Sequence, residues 1–536
     1  LTIDRNFYKN GVFSGSSDQR TIRHNKSNWN NLKLGFDYNF TKKDVAGIVV
    51  TSSINPWKNW QRSSSNLRNA DGSINTYLVS EAYNANKSKN INTNFNYKHS
   101  FDSTGREITT DLDYGYYRNT GNNLLDTKVF DPTDEQRGNT VLLDGYLPSE
   151  INIYTAKTDY VHPFNKNVKL EAGLKTGFVN TDNNVLYQRD TTTGWKLDDQ
   201  RSNHFVYKEN VNAAYAIVTA SVKKWEFTGG VRVENTNVSG TQKLNDSAFK
   251  RNYTNLFPNA GAVYNMNEKN QLSFAYSRRI RRPDYEDLNP FIFFLDSLTY
   301  GQGNPYLQPE FSNRFEMGHT YKKFFTTTIS YTETNNIITE ILKQYTERQT
   351  TFQTKENFSR MRQLGLSVSA NKQLASWWNL NVYAGVFSNN YKGLYNDGTT
   401  NTPVKINVTS FTGNISNSFT FAKTWAGEVS GWFNSSPSEG LIVARSMGAL
   451  NAGLSKQLWD KKASIKFGVR DILRTSNFSG YSRYADVDLK VANDRRQDNR
   501  VYNVTFTYKF GKNNIAPERR RSGGAGEEKS RVKSGG

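Results

Sequence analysis

Side chains that could catalyse a reaction or hold a metal are scattered along this chain. None of its five histidines has the four-residue spacing of a zinc-binding helix; they are His24, His99, His162, His204 and His319. No GxSxG sequence is present to place a serine nucleophile on a sharp turn. Cysteine is absent, which excludes thiolate chemistry. The sequence therefore predicts no catalytic residue, no metal site, no cofactor and no enzymatic activity.

The residues best suited to binding a ligand are aromatic and lie in one segment, 282–309. Pro283 ends the preceding strand because it supplies no ladder donor, and Gly301 and Gly303 permit turn conformations. This density of turn residues predicts an ordered loop. Its aromatic candidates are Tyr285, Phe291, Phe293, Phe294, Tyr300 and Tyr306. Two interpretations remain open, since the rings can stack on a solute or pack the loop on itself and its neighbours.

These candidates must be positioned by strands, because the chain alternates apolar and polar residues. In NLKLGFDYNF (31–40) one face carries Leu32, Leu34, Phe36, Tyr38 and Phe40, and the other carries polar residues and glycine. That period of two is typical of a two-faced β-strand. The same phase returns in 168–178, 364–370 and 504–510.

Composition favours a membrane-spanning β-barrel over a soluble protein. Only 36% of residues are hydrophobic, yet 13% are aromatic. The mean hydropathy is −0.74. A barrel needs one apolar residue in two on its lipid face and keeps a polar lumen, and aromatic residues form its interfacial girdles. Lumen-phase charges would contact a plug or water, or form salt bridges in the lumen; the candidates are Arg232, Glu234, Arg314 and Glu316.

The formal charge of +20 suggests nucleic-acid binding as a function, but the basic residues are dispersed along the chain rather than clustered. Lysines recur at tight turns, as in Lys42-Lys43, Lys223-Lys224 and Lys322-Lys323. Anionic lipid headgroups or a charged lumen explain this charge without nucleic acid. Outer-membrane lipid and lipopolysaccharide are therefore the predicted surroundings.

Short and long connections alternate along the chain, as in an outer-membrane barrel with periplasmic turns and extracellular loops. The long loops are predicted at 54–88, 119–150, 181–201, 236–255, 282–309, 333–359, 390–404 and 475–496. Nine hairpins and a last strand give nineteen strands between residues 30 and 510, and residues 1–10 either complete a twentieth or belong to a larger barrel that has lost its N-terminal part, so about 19–20 strands are predicted. Residues 1–29 are predicted as the end of a strand plus an extracellular loop, and 511–536 as a disordered periplasmic tail.

The segment 276–321 contains YSRRIRRP, DLNPF and GNPYLQPE in that order. It resembles the TonB-dependent outer-membrane receptor barrels, particularly the outer-membrane β-barrel family of receptor-like proteins. The resemblance implies a barrel of about 22 strands preceded by a plug domain and a TonB-binding segment. No plug-like sequence precedes the barrel here, so the expectation is an N-terminally truncated barrel without its plug.

Two functions are compatible with this sequence. The first, implied by the resemblance, is TonB-dependent uptake of a scarce solute. In that case the barrel would have TonB and a plug domain as partners, both through the expected missing N-terminal part. The second is a receptor-like barrel that transports nothing and acts as a surface scaffold or adhesion platform. The sequence does not identify the solute.

Overall fold

The computed structural model describes residues 1–533 except 10, 192, 245, 295, 297, 346, 348, 397–400, 437, 440, 494–498 and 511–522. The described residues form 28 strand segments in one sheet. Nearly all neighbours in that sheet are antiparallel, and successive strands are paired around the wall. The predicted fold class, a large antiparallel β-barrel, is confirmed.

The first strands of the wall are β1 (Thr2–Lys9), β2 (Val12–Ser27), β3 (Asn30–Asn39), β4 (Asp44–Asn69), β5 (Ile74–Ser100), β6 (Glu107–Phe130), β7 (Val141–Pro163), β8 (Val168–Thr191), β9 (Gly194–Leu197) and β10 (Asn203–Val222). The middle strands are β11 (Trp225–Gln242), β12 (Ser247–Asn267), β13 (Asn270–Arg281), β14 (Ile292–Phe294), β15 (Thr299–Gln302), β16 (Glu310–Tyr321), β17 (Phe325–Tyr345), β18 (Thr350–Ala375) and β19 (Trp378–Asn396). The last are β20 (Asn401–Phe421), β21 (Trp425–Asn434), β22 (Ser438–Glu439), β23 (Ile442–Ala444), β24 (Met447–Leu458), β25 (Ala463–Arg470), β26 (Ser479–Tyr484), β27 (Val487–Ala492) and β28 (Val501–Tyr508).

The helical elements are a 3₁₀ turn, Glu286–Leu288, and the short α1, Gly526–Ser530. Within the described part of the chain, neither has the length and apolarity needed to cross a bilayer.

Neighbouring strands of the wall are joined in hairpins by short turns, as the spacing of turn residues predicts. The nine predicted hairpins are all formed by the described residues, from β3–β4 to β24–β25. Lys223, Lys322 and Lys323 adopt positive φ in these turns. Tight hairpin turns need that conformation because their twist must match the flanking strands.

The strands continue far beyond the apolar band of their outer face. On β11, the outward residues Trp225, Phe227 and Val233 are exposed and apolar, and Asn235 and Asn237 continue the same face. The predicted long loops at 54–88, 119–150, 181–201, 236–255, 333–359 and 390–404 are therefore wrong, since most of their residues lie in strands. A strand that stands in water outside and faces a polar lumen inside loses the alternation that identifies it.

The first thirty residues differ from the predicted strand end and loop. β2 and β3 keep one register against β4, from Gly15 opposite Asn69 to Asn30 opposite Ile54. β1 folds back on β2 as a hairpin. The inward side chains of β2 are small and polar, and Ser17 and Gln19 are buried at 2% and 3% exposure. The predicted loop is thus the outer half of a long strand.

The outer half of the wall, away from the short turns, is closed by a hairpin. β26 and β27 lie in the predicted loop 475–496, and β27 pairs with β1 from Thr2 opposite Ala492. In the inner half, among the described residues, β3 pairs only with β4 and β28 only with β25. The strands β3 and β28 therefore present free edges near the short turns.

The lumen contains the C-terminal segment 523–533, which includes α1. Ala525 and Glu528 are buried, at 0% and 3% exposure, among inward side chains of the wall. Composition predicts a disordered periplasmic tail at 511–536, and the structure differs at 523–533. The physical reason is charge matching, because each charged side chain of this segment, Glu527 to Lys533, has a lumen or loop partner of opposite charge. Residues 511–522 and 534–536 lie outside the described residues.

Candidate functional site

The segment 282–309 folds inward, and we call it the inward loop. The 3₁₀ turn lies near its start, β14 and β15 form a small hairpin, and β15 pairs in parallel with the wall strand β18. A Cβ added at Gly303 would lie 2.1 Å from the carbonyl oxygen of Asn289. The glycine therefore allows a backbone approach that any other residue would block. The described residues of the loop thus form a turn and two short strands, and its order stays a prediction.

Four of the predicted aromatic candidates lie against the wall. Tyr285 and Phe291 are buried, at 3% and 7% exposure. Phe294 and Tyr300 are partly buried, and the Tyr300 ring stacks on Phe352 of β18 with centroids 5.4 Å apart. These rings fasten the inward loop to the barrel.

The other two candidates, Phe293 and Tyr306, are 48% and 61% exposed. Tyr306 borders a cleft of about 400 Å³ between the inward loop and the wall, together with Phe249 and Phe352. The Tyr306 and Phe249 centroids are 5.9 Å apart, and the Arg251 guanidinium lies 4.9 Å from the Phe249 centroid. Arg251 holds the loop by donating to the carbonyl oxygens of Leu307 and Tyr306, and Glu356 is the charged residue that lines the cleft. A cleft of this size with convergent aromatic rings suits a small solute. The ligand-binding role of the six aromatic residues stays a prediction.

Tyr187 of β8 anchors the inward loop and was not among the predicted candidates. Its ring is fully buried and lies over Gly145 of β7, where an added Cβ would be 2.4 Å from the ring. Its hydroxyl donates to the carbonyl oxygen of Ile292 at 3.1 Å, and Phe294 packs edge-on against it. The alternation of apolar and polar residues along a strand does not show which ring of one strand covers a glycine of its neighbour. The sequence therefore did not reveal this contact.

Arg282 joins the inward loop to the lumen face of β11. Its side chain is 1% exposed and donates to Glu234 at 2.7 Å and Thr236 at 2.9 Å. Glu234 also accepts from Arg232, so two predicted lumen candidates meet at one carboxylate. Opposite charges raise the pKa of Arg282 further and keep it charged despite burial.

The other two predicted lumen candidates lie elsewhere. Arg314 and Glu316 of β16 pair with each other at 2.7 Å and are 45% and 35% exposed. They do not contact the inward loop among the bonds formed by described residues. A second set of lumen groups surrounds the C-terminal segment; it was missed because its members, Asp113, Glu209 and Asp287, come from distant parts of the chain.

The histidines do not form a cluster among the described residues. In the described part of the chain, no three or more His, Cys, Asp or Glu side chains are grouped to hold a metal ion. His99 faces Asp44 at 2.6 Å near a short turn, and His204 faces Asp182 at 2.9 Å.

Glu286 makes the inward loop sensitive to pH. Burial raises its pKa to about 7, and the backbone N–H of Lys533, 3.0 Å from Oε1, offsets only part of that cost. The charged groups around it are Lys533, Asp284 and Asp287. A carboxyl with a raised pKa favours the folded form below its unfolded pKa, and that stability is lost as pH rises through about 7. We expect the docked loop to become progressively less stable as the pH rises from about 4.5 to about 7.

The measurement is the rate of chymotrypsin cleavage in the inward loop at several pH values, normalised to cleavage of a free peptide. The Glu286→Gln variant keeps the side-chain shape without the titration and serves as the matched control. Its cleavage rate should be flat across the window in which the unmodified chain becomes more sensitive. Parallel profiles for the two proteins would contradict the assignment.

Comparisons with known proteins agree with this architecture. The model of the outer membrane protein beta-barrel family matches residues 99–508. No curated protein matches the chain. Its fold is similar to the siderophore receptor PiuA from Acinetobacter baumannii, with a TM-score of 0.54 and 10% identity over 94% of this chain and 82% of that one. The ferric yersiniabactin uptake receptor FyuA from Yersinia pestis has a TM-score of 0.54 and 11% identity over 95% and 80%. The hemophore receptor HasR from Serratia marcescens has a TM-score of 0.52 and 13% identity over 91% and 79%. Identities this low establish the shared fold alone.

Proposed function

The chain belongs to the outer membrane protein beta-barrel family, and from that premise we propose that it is the barrel of a receptor that takes up a scarce solute through the outer membrane. Uptake is coupled to TonB, and a plug domain gates the lumen in the complete receptor. The short turns face the periplasm and the long strand extensions face outward. The solved structures of similar fold, a siderophore receptor among them, support a receptor rather than an enzyme.

The observation that carries this proposal is the aromatic cleft beside the inward loop. Tyr306, Phe249 and Phe352 offer flat apolar surfaces, and the polar side chains of Gln302, Asn304 and Glu356 also line the cleft. Such a site suits a solute with a planar or aromatic part and polar groups, a chemistry that many ferric chelates share. A solute bound there, between loop and wall, would lie beside the lumen.

The test is uptake of labelled ferric chelates by cells that lack their own receptors and express this protein in its natural length. We expect uptake of at least one chelate that stops when the proton-motive force is dissipated. Tyr306→Ala should weaken binding about tenfold because it removes one wall of the cleft. Phe293→Ala is the matched control, since this exposed ring lies in the same loop but does not line the cleft.

Two outcomes would count against the proposal. Equal binding by the Tyr306→Ala and Phe293→Ala variants would exclude this cleft as the solute site. Capture of a surface protein with no uptake of any solute would favour the scaffold or adhesion platform.

A further inference from the structure

The C-terminal segment 523–533 occupies a matched binding site in the lumen, which we call the latch site. Arg531 lies at its centre and is 6% exposed. Its guanidinium donates to both carboxylate oxygens of Glu209 on β10, and its Nε donates to the carbonyl oxygen of Pro283 at 2.9 Å. It also lies 4.2 Å from the centroid of the Tyr285 ring. One side chain thus bridges the wall and the inward loop.

The wall leaves a space for Glu528. Its carboxylate accepts from Lys175 of β8 at 2.9 Å, and both side chains are almost fully buried, at 3% and 5% exposure. On the neighbouring inward position, a Cβ added at Gly177 would lie 2.9 Å from Glu528 Oε1. The carboxylate therefore fits over a strand position that has no side chain.

The start of the segment also fits closely. The backbone N–H of Gly524 donates to Asp113 of β6 at 2.7 Å, and Lys529 approaches the same carboxylate at 3.3 Å. A Cβ at Gly523 would be 2.8 Å from Asp113 Oδ1, and one at Gly524 would be 3.0 Å from Cβ of Lys157. A side chain at either position would push a neighbouring wall side chain aside.

The end of the segment contacts the inward loop directly. Lys533 pairs with Asp287, and its backbone N–H donates to Glu286 at 3.0 Å. Glu527 accepts from Arg282 at 2.6 Å, the same guanidinium that binds Glu234. The segment therefore lies between the strand wall and the loop and contacts both through charges.

We propose that the lumen wall formed by β6, β8 and β10 is a binding site for residues 523–533. This segment is an intramolecular latch that holds the inward loop against the wall. The latch also closes the lumen beside the loop. The latch is a binding property of the lumen and does not depend on the proposed uptake. Its consequence for passage rests on the proposed function, because a solute moving past the loop must release the segment.

The test uses the absence of cysteine from the chain. Ala525 is fully buried in the latch site, so Ala525→Cys introduces one thiol whose reaction with a charged maleimide reports release of the segment. In the full chain, the thiol should react far more slowly than in the urea-unfolded protein. The labelling rate does not depend on uptake, so failure of the latch proposal and failure of the uptake proposal can be distinguished.

Two second-site variants perturb the latch from opposite sides. Arg531→Glu reverses the central charge of the segment, and Gly177→Val fills the space for Glu528 with a good strand former. Each should raise the labelling rate at least about tenfold, because a buried charge loses its partner. Gly229→Val is the matched control, since a Cβ there meets nothing within 4 Å, and Arg483→Glu is a control for charge at an exposed pair. Both controls should leave the rate unchanged.

The proposal is overturned if the thiol in the folded chain reacts as fast as in urea, or if Gly177→Val and Gly229→Val behave alike. Folding of each variant is checked by the mobility shift that unheated barrels show on electrophoresis. A failure of Arg531→Glu to fold leaves the Gly177→Val comparison decisive, because valine adds no charge to the lumen.

Discussion

Replacing Arg282 with alanine is expected to lower the free energy of unfolding by about 3–5 kcal/mol. The guanidinium is 1% exposed and bonded to Glu234 and Glu527, and the Glu234 side chain is 5% exposed. Truncation would leave Glu234 with Arg232 as its remaining partner and would detach the start of the inward loop from β11. The measurement is urea unfolding in detergent micelles, followed by tryptophan fluorescence.

Arg281→Ala is the matched control at the neighbouring position. Arg281 is 59% exposed and lies 3.4 Å from Glu310, so its loss should cost only about 0–1 kcal/mol. Adding Glu234→Gln to Arg282→Ala should recover part of the stability, because it removes the uncompensated charge. Similar losses for the Arg281 and Arg282 variants would show that the buried junction contributes no more than a surface pair.

Tyr187→Ala is expected to cost about 3–5 kcal/mol and to release the inward loop. The ring is fully buried over Gly145 and supports Phe294, so its removal leaves a cavity that a rigid strand wall cannot fill. Chymotrypsin should then cleave within 282–309 in protein that still shows the mobility of a folded barrel. Unfolding by urea gives the free-energy change.

The hydroxyl and the ring can be separated. Tyr187→Phe loses only the hydrogen bond to Ile292 and should cost about 0.5–1.5 kcal/mol. Tyr146→Ala removes a 43% exposed ring beside Gly145 and should change stability by no more than about 0.5 kcal/mol. Protection of the loop that persists in Tyr187→Ala would mean that β14 and β15 hold it without this anchor.

The membrane-facing part of the barrel could be predicted from the sequence. Residues such as Leu32, Leu34 and Phe36 face outward and are exposed. The lipid requires apolar side chains on that face, whereas the lumen permits polar ones on the other. Strong contrast between the two faces gives a clear period of two. The nine hairpins followed from that contrast and from the lysine-rich turns.

The outer halves of the strands could not be predicted in the same way. Along β4, polar residues occupy both faces after Ile54, as with the buried Gln61 and the exposed Arg62. Both sides of the wall contact water or polar groups there, so strand residues look like loop residues. The hairpin β26–β27 inside a predicted loop has the same explanation.

The candidate site was predicted in part. The turn-rich segment and its aromatic residues could be recognised because proline, glycine and aromatic residues cluster locally. The latch site could not, because Asp113, Glu209 and Glu528 are far apart in sequence and meet only through the register of the strands. Composition correctly identifies a polar charged tail, but it does not predict partners that a barrel lumen supplies.

In the proposed orientation, with the short turns in the periplasm, the long strands also set how far the molecule projects from the cell. In β4, residues beyond Ile54 leave the apolar band, and Asn69 ends the strand. At about 3.3 Å a residue and a tilt of about 40°, that part rises roughly 35 Å above the hydrocarbon. The hairpin turn at 70–73 would then stand clear of the lipid headgroups and within the sugar layer of the lipopolysaccharide. Phages, antibodies and neighbouring proteins would meet this rigid rim first, whereas a diffusing solute enters a water-filled vestibule before it reaches the membrane plane.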